Sequence, residues 1–279
     1  MTLHNSDSGA SARIAFIGGG NMASALMGGL IQSGHAPAAI AVIEPFDIQA
    51  QKLRQQYGVQ VESAAGPVLA GASLVVWAVK PQLFQEAARP CAAHVGGALQ
   101  LSVMAGIRSG AISAATGSDR VVRSMPNTPA LIGRGMTGLF GSDAVTSDER
   151  ALVERLLHPT GDLLWVEREE QLDAVTALSG SGPAYVFYFV EAMMRAGSEL
   201  GLSSDQARRL AVGTFSGAAA LAAQSTESPQ VLRQNVTSKG GTTHAAITTL
   251  EERGVMGSFV AALHAAARRA KELGDEFGG

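Results

Sequence analysis

The 279-residue sequence predicts an α/β first half, a parallel sheet covered by helices, followed by an all-helical second half. Three observations carry this. Short apolar runs alternate with helical patterns through roughly the first 170 residues, as parallel sheets with crossover helices require. The first run passes through a tight glycine turn into a helix. From about Gln171 the chain becomes Ala-rich, with helical spacing and few strand signals.

In chain order, Arg13–Ile17 reads as a strand, Met22–Gln32 as a helix, Ile40–Ile43 as a second strand and Ile48–Tyr57 as a second helix. The run 74–79 (LVVWAV) is apolar throughout, as expected of a strand buried on both faces. Ala98–Met104, Arg120–Ser124 and Thr137–Phe140 read as further strands. In the second half Tyr185–Leu200 is one long helix, preceded by Gly182–Pro183 and followed by Gly201 where a C-terminal cap belongs. Ser203-x-x-Gln206 forms a capping-box pattern for a helix to about Gln224. A short helix follows near Pro229–Gln234, then the polar connection TSKGGTT (237–243), a helix over Thr242–Leu250 and a last one over Gly257–Leu273. The two domains are expected at 11–170 and 171–279. A helical half of about a hundred residues is small for an independent core, so pairing with a second copy through small residues such as Gly213, Gly217 and Ala218 is expected.

Composition excludes several classes. With 46% hydrophobic and 16% charged residues the chain is globular. A net charge of -3 points away from nucleic acid and anionic membranes. The most apolar stretch, Tyr185–Met194, is short and broken by Glu191, so no membrane span is expected. The first ten residues read as a polar lead-in without a signal-peptide pattern. One cysteine, Cys91, permits neither an internal disulfide nor a multi-cysteine metal site, and a cytoplasmic location is the simplest. His94, His158 and His264 lack metal-ligand spacing, so no metal is expected.

The turn Gly18-x-Gly20-x-x-Ala23 follows a strand and opens a helix. Gly18 permits the sharp exit, Gly20 lets a pyrophosphate approach the backbone, and Ala23 allows close helix–sheet packing. The helix N-terminus supplies free N–H groups. The first half is therefore a Rossmann-like dinucleotide-binding domain. Glu44 ends the second strand, where an acid accepts hydrogen bonds from the adenosine ribose and repels a 2′-phosphate. No Arg or Lys follows until Lys52, so these residues favour NADH over NADPH.

Further motifs are AVKPQ at 78–82, SVMAGI at 102–107, MPNTPA at 125–130, DAVTALSGSGPAYVF at 173–187 and NVTSKGGTT at 235–243. With the glycine turn, these resemble, in order, the pyrroline-5-carboxylate reductase family. The resemblance implies reduction of the C=N bond of 1-pyrroline-5-carboxylate to L-proline with NADPH or NADH. It implies a dinucleotide-binding domain joined to an all-α dimerisation domain, with the active site at the dimer interface and dimers assembling further, commonly into decamers. Carried over by position, cofactor contacts are Ile17, Gly18, Gly19, Gly20, Asn21, Met22, Ala78, Val79, Lys80, Pro81, Val103, Met104, Ala105 and Asn235. Substrate residues are Glu169, Val236, Ser238, Gly240, Gly241, Thr242 and Thr243, with Thr243 catalytic. The chain departs from the family's NADPH-preferring pattern at Glu44 and at Ala65, where some members have Ser, Thr or Arg, and Asn, respectively.

The chemistry of the loop agrees. Consecutive N–H groups around Ser238–Thr243 suit a carboxylate, and the Thr243 hydroxyl suits orientation of the ring nitrogen. His244 neighbours Thr243, but adjacent helical residues face apart, so it reads as peripheral. Tyr185, Phe187, Tyr188, Phe189, Met193 and Met194 read as core or dimer interface, and Arg268, Arg269 and Lys271 as a solvated helix end. Two other readings stand beside this one: another imine or β-hydroxyacid-type reductase of the same architecture, and a non-catalytic dinucleotide-sensing dimer. The first usually relies on a lysine in the helical domain, where Lys239 is the only one between Lys80 and Lys271. The second has no need of a carboxylate-binding loop.

Overall fold

A computed structural model describes residues 12–277; the polar lead-in expected for the first ten residues lies outside them. The chain divides into two units, 1–180 with 267–279, and 181–266.

The first unit is built on eight strands: β1 (Ile14–Ile17), β2 (Ile40–Ile43), β3 (Gln60–Glu62), β4 (Leu74–Trp77), β5 (Leu99–Ser102), β6 (Val121–Met125), β7 (Gly135–Gly141) and β8 (Gly161–Trp165). Their order is β3-β2-β1-β4-β5-β6-β7-β8. All pairings are parallel except β6 with β7, so the last two strands run opposite to the first six. The order reverses between β1 and β4, where doubly wound sheets open a crevice beyond the strand C-termini.

Helices α1 (Asn21–Gln32), α2 (Asp47–Tyr57), α3 (Phe84–Val95), α4 (Ser109–Thr116) and α5 (Ser147–Leu157) belong to this unit. β1, β2, β4 and β5 are buried along their whole length, which is why they read as unbroken apolar runs. Alternate residues serve opposite faces. Ile14, Phe16, Val42, Leu74 and Val76 pack with α1, α2 and α5, whereas Ala15, Ile17, Val75 and Trp77 pack with Phe84, Cys91 and Val95 of α3. The Trp77 indole N–H donates to Gln100 Oε1 at 2.9 Å, and Gln100 donates in turn to the Val95 and Ala98 carbonyls, so the buried polar groups are paired.

The short segment α6 (Gln171–Val175) continues into a π-turn at Thr176–Gly180. Leu172 and Ala177 are buried, so these residues remain with the first unit and the division falls about ten residues later than the expected boundary.

In the second unit lie α7 (Gly182–Glu199), α8 (Ser204–Gln224), α9 (Pro229–Asn235) and α10 (Thr242–Glu252). The long helix α11 (Val255–Phe277) begins there, and its final turns belong to the first unit. Gly201 takes φ +94°, the left-handed cap after α7, and Leu202 N–H returns to Gly197 O at 3.0 Å. Ser203 and Gln206 form the expected reciprocal box at the start of α8. α7 and α8 approach closely, since a Cβ on Gly197 would lie 2.9 Å from that of Ala207. Phe259 of α11 stacks edge-on against Tyr185 and Phe189 of α7.

Candidate active site

Candidate chemistry lies in two places, one in each unit. The first is a cleft of about 740 Å³ at the crevice beyond β1 and β4. Its floor is the turn Ile17–Gly20. Gly18 takes φ +94°, and a Cβ there would lie 2.7 Å from the Ala78 carbonyl oxygen, so only glycine fits. A Cβ on Gly20 would meet nothing within 4 Å, which leaves its backbone open to a ligand. Gly20 is the N-cap of α1, with no side-chain cap and no acid in the first turn, so the helix end offers N–H groups and positive dipole to an anion. These features fit a dinucleotide pyrophosphate. Ala78, Val79 and Lys80 form the facing wall at the exit of β4.

Glu44 also lines the cleft, but it is not solvated: it is 6% exposed. Its Oε2 accepts from Gly19 N–H at 2.9 Å and its Oε1 from Phe46 N–H at 3.0 Å. Lys80 is the one cation among the residues lining the cleft, against the carboxylates Glu44 and Glu86. The cleft also takes in residues without a motif: Phe46 from the β2–α2 connection and Gln49 from the first turn of α2, Ser63 and Ala65 after β3, and Leu83, Pro90 and Cys91 from the α3 side. Burial pushes the Cys91 thiol up to about 11, which keeps it protonated and unreactive. Asn21 and Met22 open α1, Pro81 starts the 3-10 turn Pro81–Leu83, and Val103–Ala105 follow β5, with Met104 buried. None of these six lines the cleft.

The second place is the loop before α10. Gly240 takes φ +75°, and Gly241, the N-cap of α10, donates its N–H to Ser238 O at 3.0 Å. A Cβ on Gly241 would lie 2.6 Å from Ser238 Oγ, so the tight loop needs glycine there. α10 has no side-chain cap and no acid in its first turn, and Thr242 and Thr243 are its first two residues. Val236, Ser238, Lys239 and Thr242 are exposed and Thr243 is half-buried. His244 lines a groove with Arg233, Thr237 and Glu251. Asn235 donates from Nδ2 to Glu227 Oε2 at 3.0 Å.

Glu169 lies in the first unit and is held there on every side. Its Oε1 accepts from Ser109 N–H at 2.6 Å and from Arg123 Nη1 at 2.8 Å, and its Oε2 accepts from Ser109 Oγ at 2.7 Å. Burial pushes its carboxyl up, but the Ser109 hydrogen bonds and the Arg123 charge outweigh that and hold it below the usual carboxylate range. Among the described residues no group of three or more His, Cys, Asp or Glu is placed to hold a metal, and no helix is long and apolar enough to cross a membrane.

The sheet order, the glycine turn and the cleft define a dinucleotide-binding oxidoreductase with a helical second unit. Residues 13–106 match the family described as NADP oxidoreductase coenzyme F420-dependent, and residues 169–273 match the one described as Pyrroline-5-carboxylate reductase dimerisation. The chain is 41% identical to the pyrroline-5-carboxylate reductase of Pseudomonas aeruginosa, over 95% of this chain and 98% of that one. Against its counterpart from Corynebacterium melassecola identity is 39%, over 94% and 98%. Among solved structures, that of a pyrroline-5-carboxylate reductase from Coxiella burnetii matches with a TM-score of 0.86 at 37% identity, covering 94% of this chain and 98% of that one. The Plasmodium falciparum pyrroline carboxylate reductase, solved with NADP bound, matches at 0.85 and 26% identity, covering 95% and 99%. The chain belongs to the pyrroline-5-carboxylate reductase family.

Proposed function

We propose that this protein reduces the C=N bond of 1-pyrroline-5-carboxylate to give L-proline, the last step of proline biosynthesis. The observation that carries this reading is the presence in one chain of two uncapped helix starts, each behind a glycine loop. The start of α1 suits a pyrophosphate and that of α10 a carboxylate. The relatives named above support the substrate.

When bound, the reduced nicotinamide supplies a hydride to the imine carbon. The protein's residues do the rest. Ile17–Gly20, Asn21 and Met22 hold the dinucleotide phosphates. Ala78–Pro81 and Val103–Ala105 border its nicotinamide side, and Asn235 contributes a polar contact. The N–H groups of Gly240–Thr243, with Val236 and Ser238 beside them, hold the substrate carboxylate. The Thr243 hydroxyl orients the ring nitrogen and relays its proton; it has no useful pKa of its own, so it positions rather than protonates outright. Glu169 serves the substrate side indirectly, by fixing the start of α4 through Ser109.

NADH is the preferred cofactor in this proposal. A 2′-phosphate would add negative charge to a cleft lined by two carboxylates and a single lysine. The protein works as a dimer through its second unit, with further assembly into decamers. The cytoplasm is its proposed location, in keeping with one buried cysteine. The test is direct: purified protein given pyrroline-5-carboxylate oxidises NADH, and NADPH more weakly. No turnover with either cofactor overturns the reading.

A further inference from the structure

The Gly19 residue is gripped on both its backbone polar groups. Its N–H donates to Glu44 Oε2, and its carbonyl accepts from Gln49 Nε2. Glu44 reaches it from the end of β2 and Gln49 from the first turns of α2, so both clamps come from one connection. Glu44 is itself anchored, because its other oxygen takes the Phe46 N–H. Leu53 of α2 closes the remaining side, since a Cβ on Gly19 would collide with its Cδ1.

These contacts fix two successive peptide planes, Gly18–Gly19 through the N–H and Gly19–Gly20 through the C=O. In a trans peptide the N–H and C=O point in opposite directions. Holding the Gly19 carbonyl on Gln49 therefore aims the Gly20 N–H away from Gln49, where open space surrounds Gly20. Gly18 N–H is held on the Ile43 carbonyl and the Gly20 carbonyl by Ser24 N–H, so without the clamp the freedom that binding would have to remove lies at Gly19 between them.

We infer that Glu44 and Gln49 are positioning residues that preset the glycine turn for the pyrophosphate, so that Glu44 sets affinity for both nicotinamide cofactors as well as discriminating between them. This rests on the dinucleotide reading of the cleft. It also means that substitution at Glu44 alone cannot create a tight NADPH site, because the side chain that repels a 2′-phosphate is the one that holds the loop.

The test uses full-length protein and measures Kd for NADH and NADPH by the fluorescence of the bound nicotinamide, with hydrogen exchange of the cofactor-free protein. Gln49→Ala is expected to raise both Kd values by a common factor of about tenfold and to speed exchange of the peptide spanning 17–22. Glu44→Ser is expected to weaken NADH by about tenfold or more without tightening NADPH. The inference is overturned if Gln49→Ala leaves both Kd values within about twofold, or moves only one of them, which would mark a direct ribose contact. It is equally overturned if Glu44→Ser tightens NADPH about tenfold, the behaviour of a simple ribose reader. Binding is read without substrate. Wild-type protein that binds NADH but leaves pyrroline-5-carboxylate unreduced would therefore sink the proposed reaction and leave this inference standing.

Discussion

At the scale of single residues, the threonine proposed to act on the substrate and the buried Glu44 show how environment assigns a role. Thr243 is the second residue of a helix whose N-terminus carries no side-chain cap, which leaves the first N–H groups of that helix without a side-chain acceptor. Thr243→Ala should lower kcat about a hundredfold while Kd for NADH stays unchanged. Stopped-flow turnover and cofactor fluorescence measure the two separately, and unchanged kcat removes Thr243 from the reaction. Gly18, Gly20 and Glu44 are legible in the sequence because their spacing after a strand or before a helix is itself the signal, whereas Thr243 comes from the family resemblance alone. Gln49 is not legible. Nothing in the pattern DIQAQKL marks one glutamine of a polar helix face, and only the fold brings it within reach of Gly19, thirty positions earlier.

Among the elements, β6, the start of α4 and the segment leading into α6 are tied by one half-buried ion pair. Arg123 of β6 is 6% exposed at its side chain, its Nε has no hydrogen-bond partner among the described residues, and Glu169 is its counter-charge at 2.8 Å. Glu169→Gln should destabilise the first unit by about 3 kcal/mol, since it strands a buried guanidinium. The pH dependence has a definite sign. The folded carboxyl lies below its unfolded value, so its contribution is complete above about pH 5 and is lost as pH falls through the ordinary glutamate range and then through the folded pKa. Thermal melts from pH 7 to pH 4 should show Tm falling on acidification, with a shallower fall in Glu169→Gln. Equal slopes would remove this pair from the acid response. The buried strands were legible as apolar runs. Helix α3 was not, because Pro90 sits inside it and breaks the helical pattern. β3 and β8 were missed for a different reason: they are partly exposed strands with mixed sequences, QVE and GDLLW.

For the whole molecule, the second unit is too poorly buried to stand alone. Of its helices only Gly197, Ala207 and Ala211 are buried, while Phe187, Tyr188, Leu210, Leu221 and Met256 are each more than half exposed. So much apolar surface on one unit marks an association face, and a second copy of the chain is the occupant that the dimerisation match supports. Light scattering should report a dimer or a multiple of it. The pair Leu210→Glu and Leu221→Glu should shift that toward monomer and abolish turnover, with NADH affinity of the cleft retained. A stable wild-type monomer would contradict the dimer. The shortness of the helical half predicts such a face, and Phe187 and Tyr188, read from the sequence as core or dimer interface, are among its exposed side chains, whereas Leu210, Leu221 and Met256 carry no sequence signal.

The last helix carries a consequence for how the molecule is made. Arg108 pairs with Asp275 at 3.1 Å, and Phe277 packs against the core beside α3 and α4. The first unit is thus completed by a segment synthesised only after all of the second unit. The residues lining the nucleotide cleft all precede the second unit in the chain, whereas the partner of Arg108 comes after it. Residues 267–277 thus fasten a body whose other residues all precede the second unit in the chain.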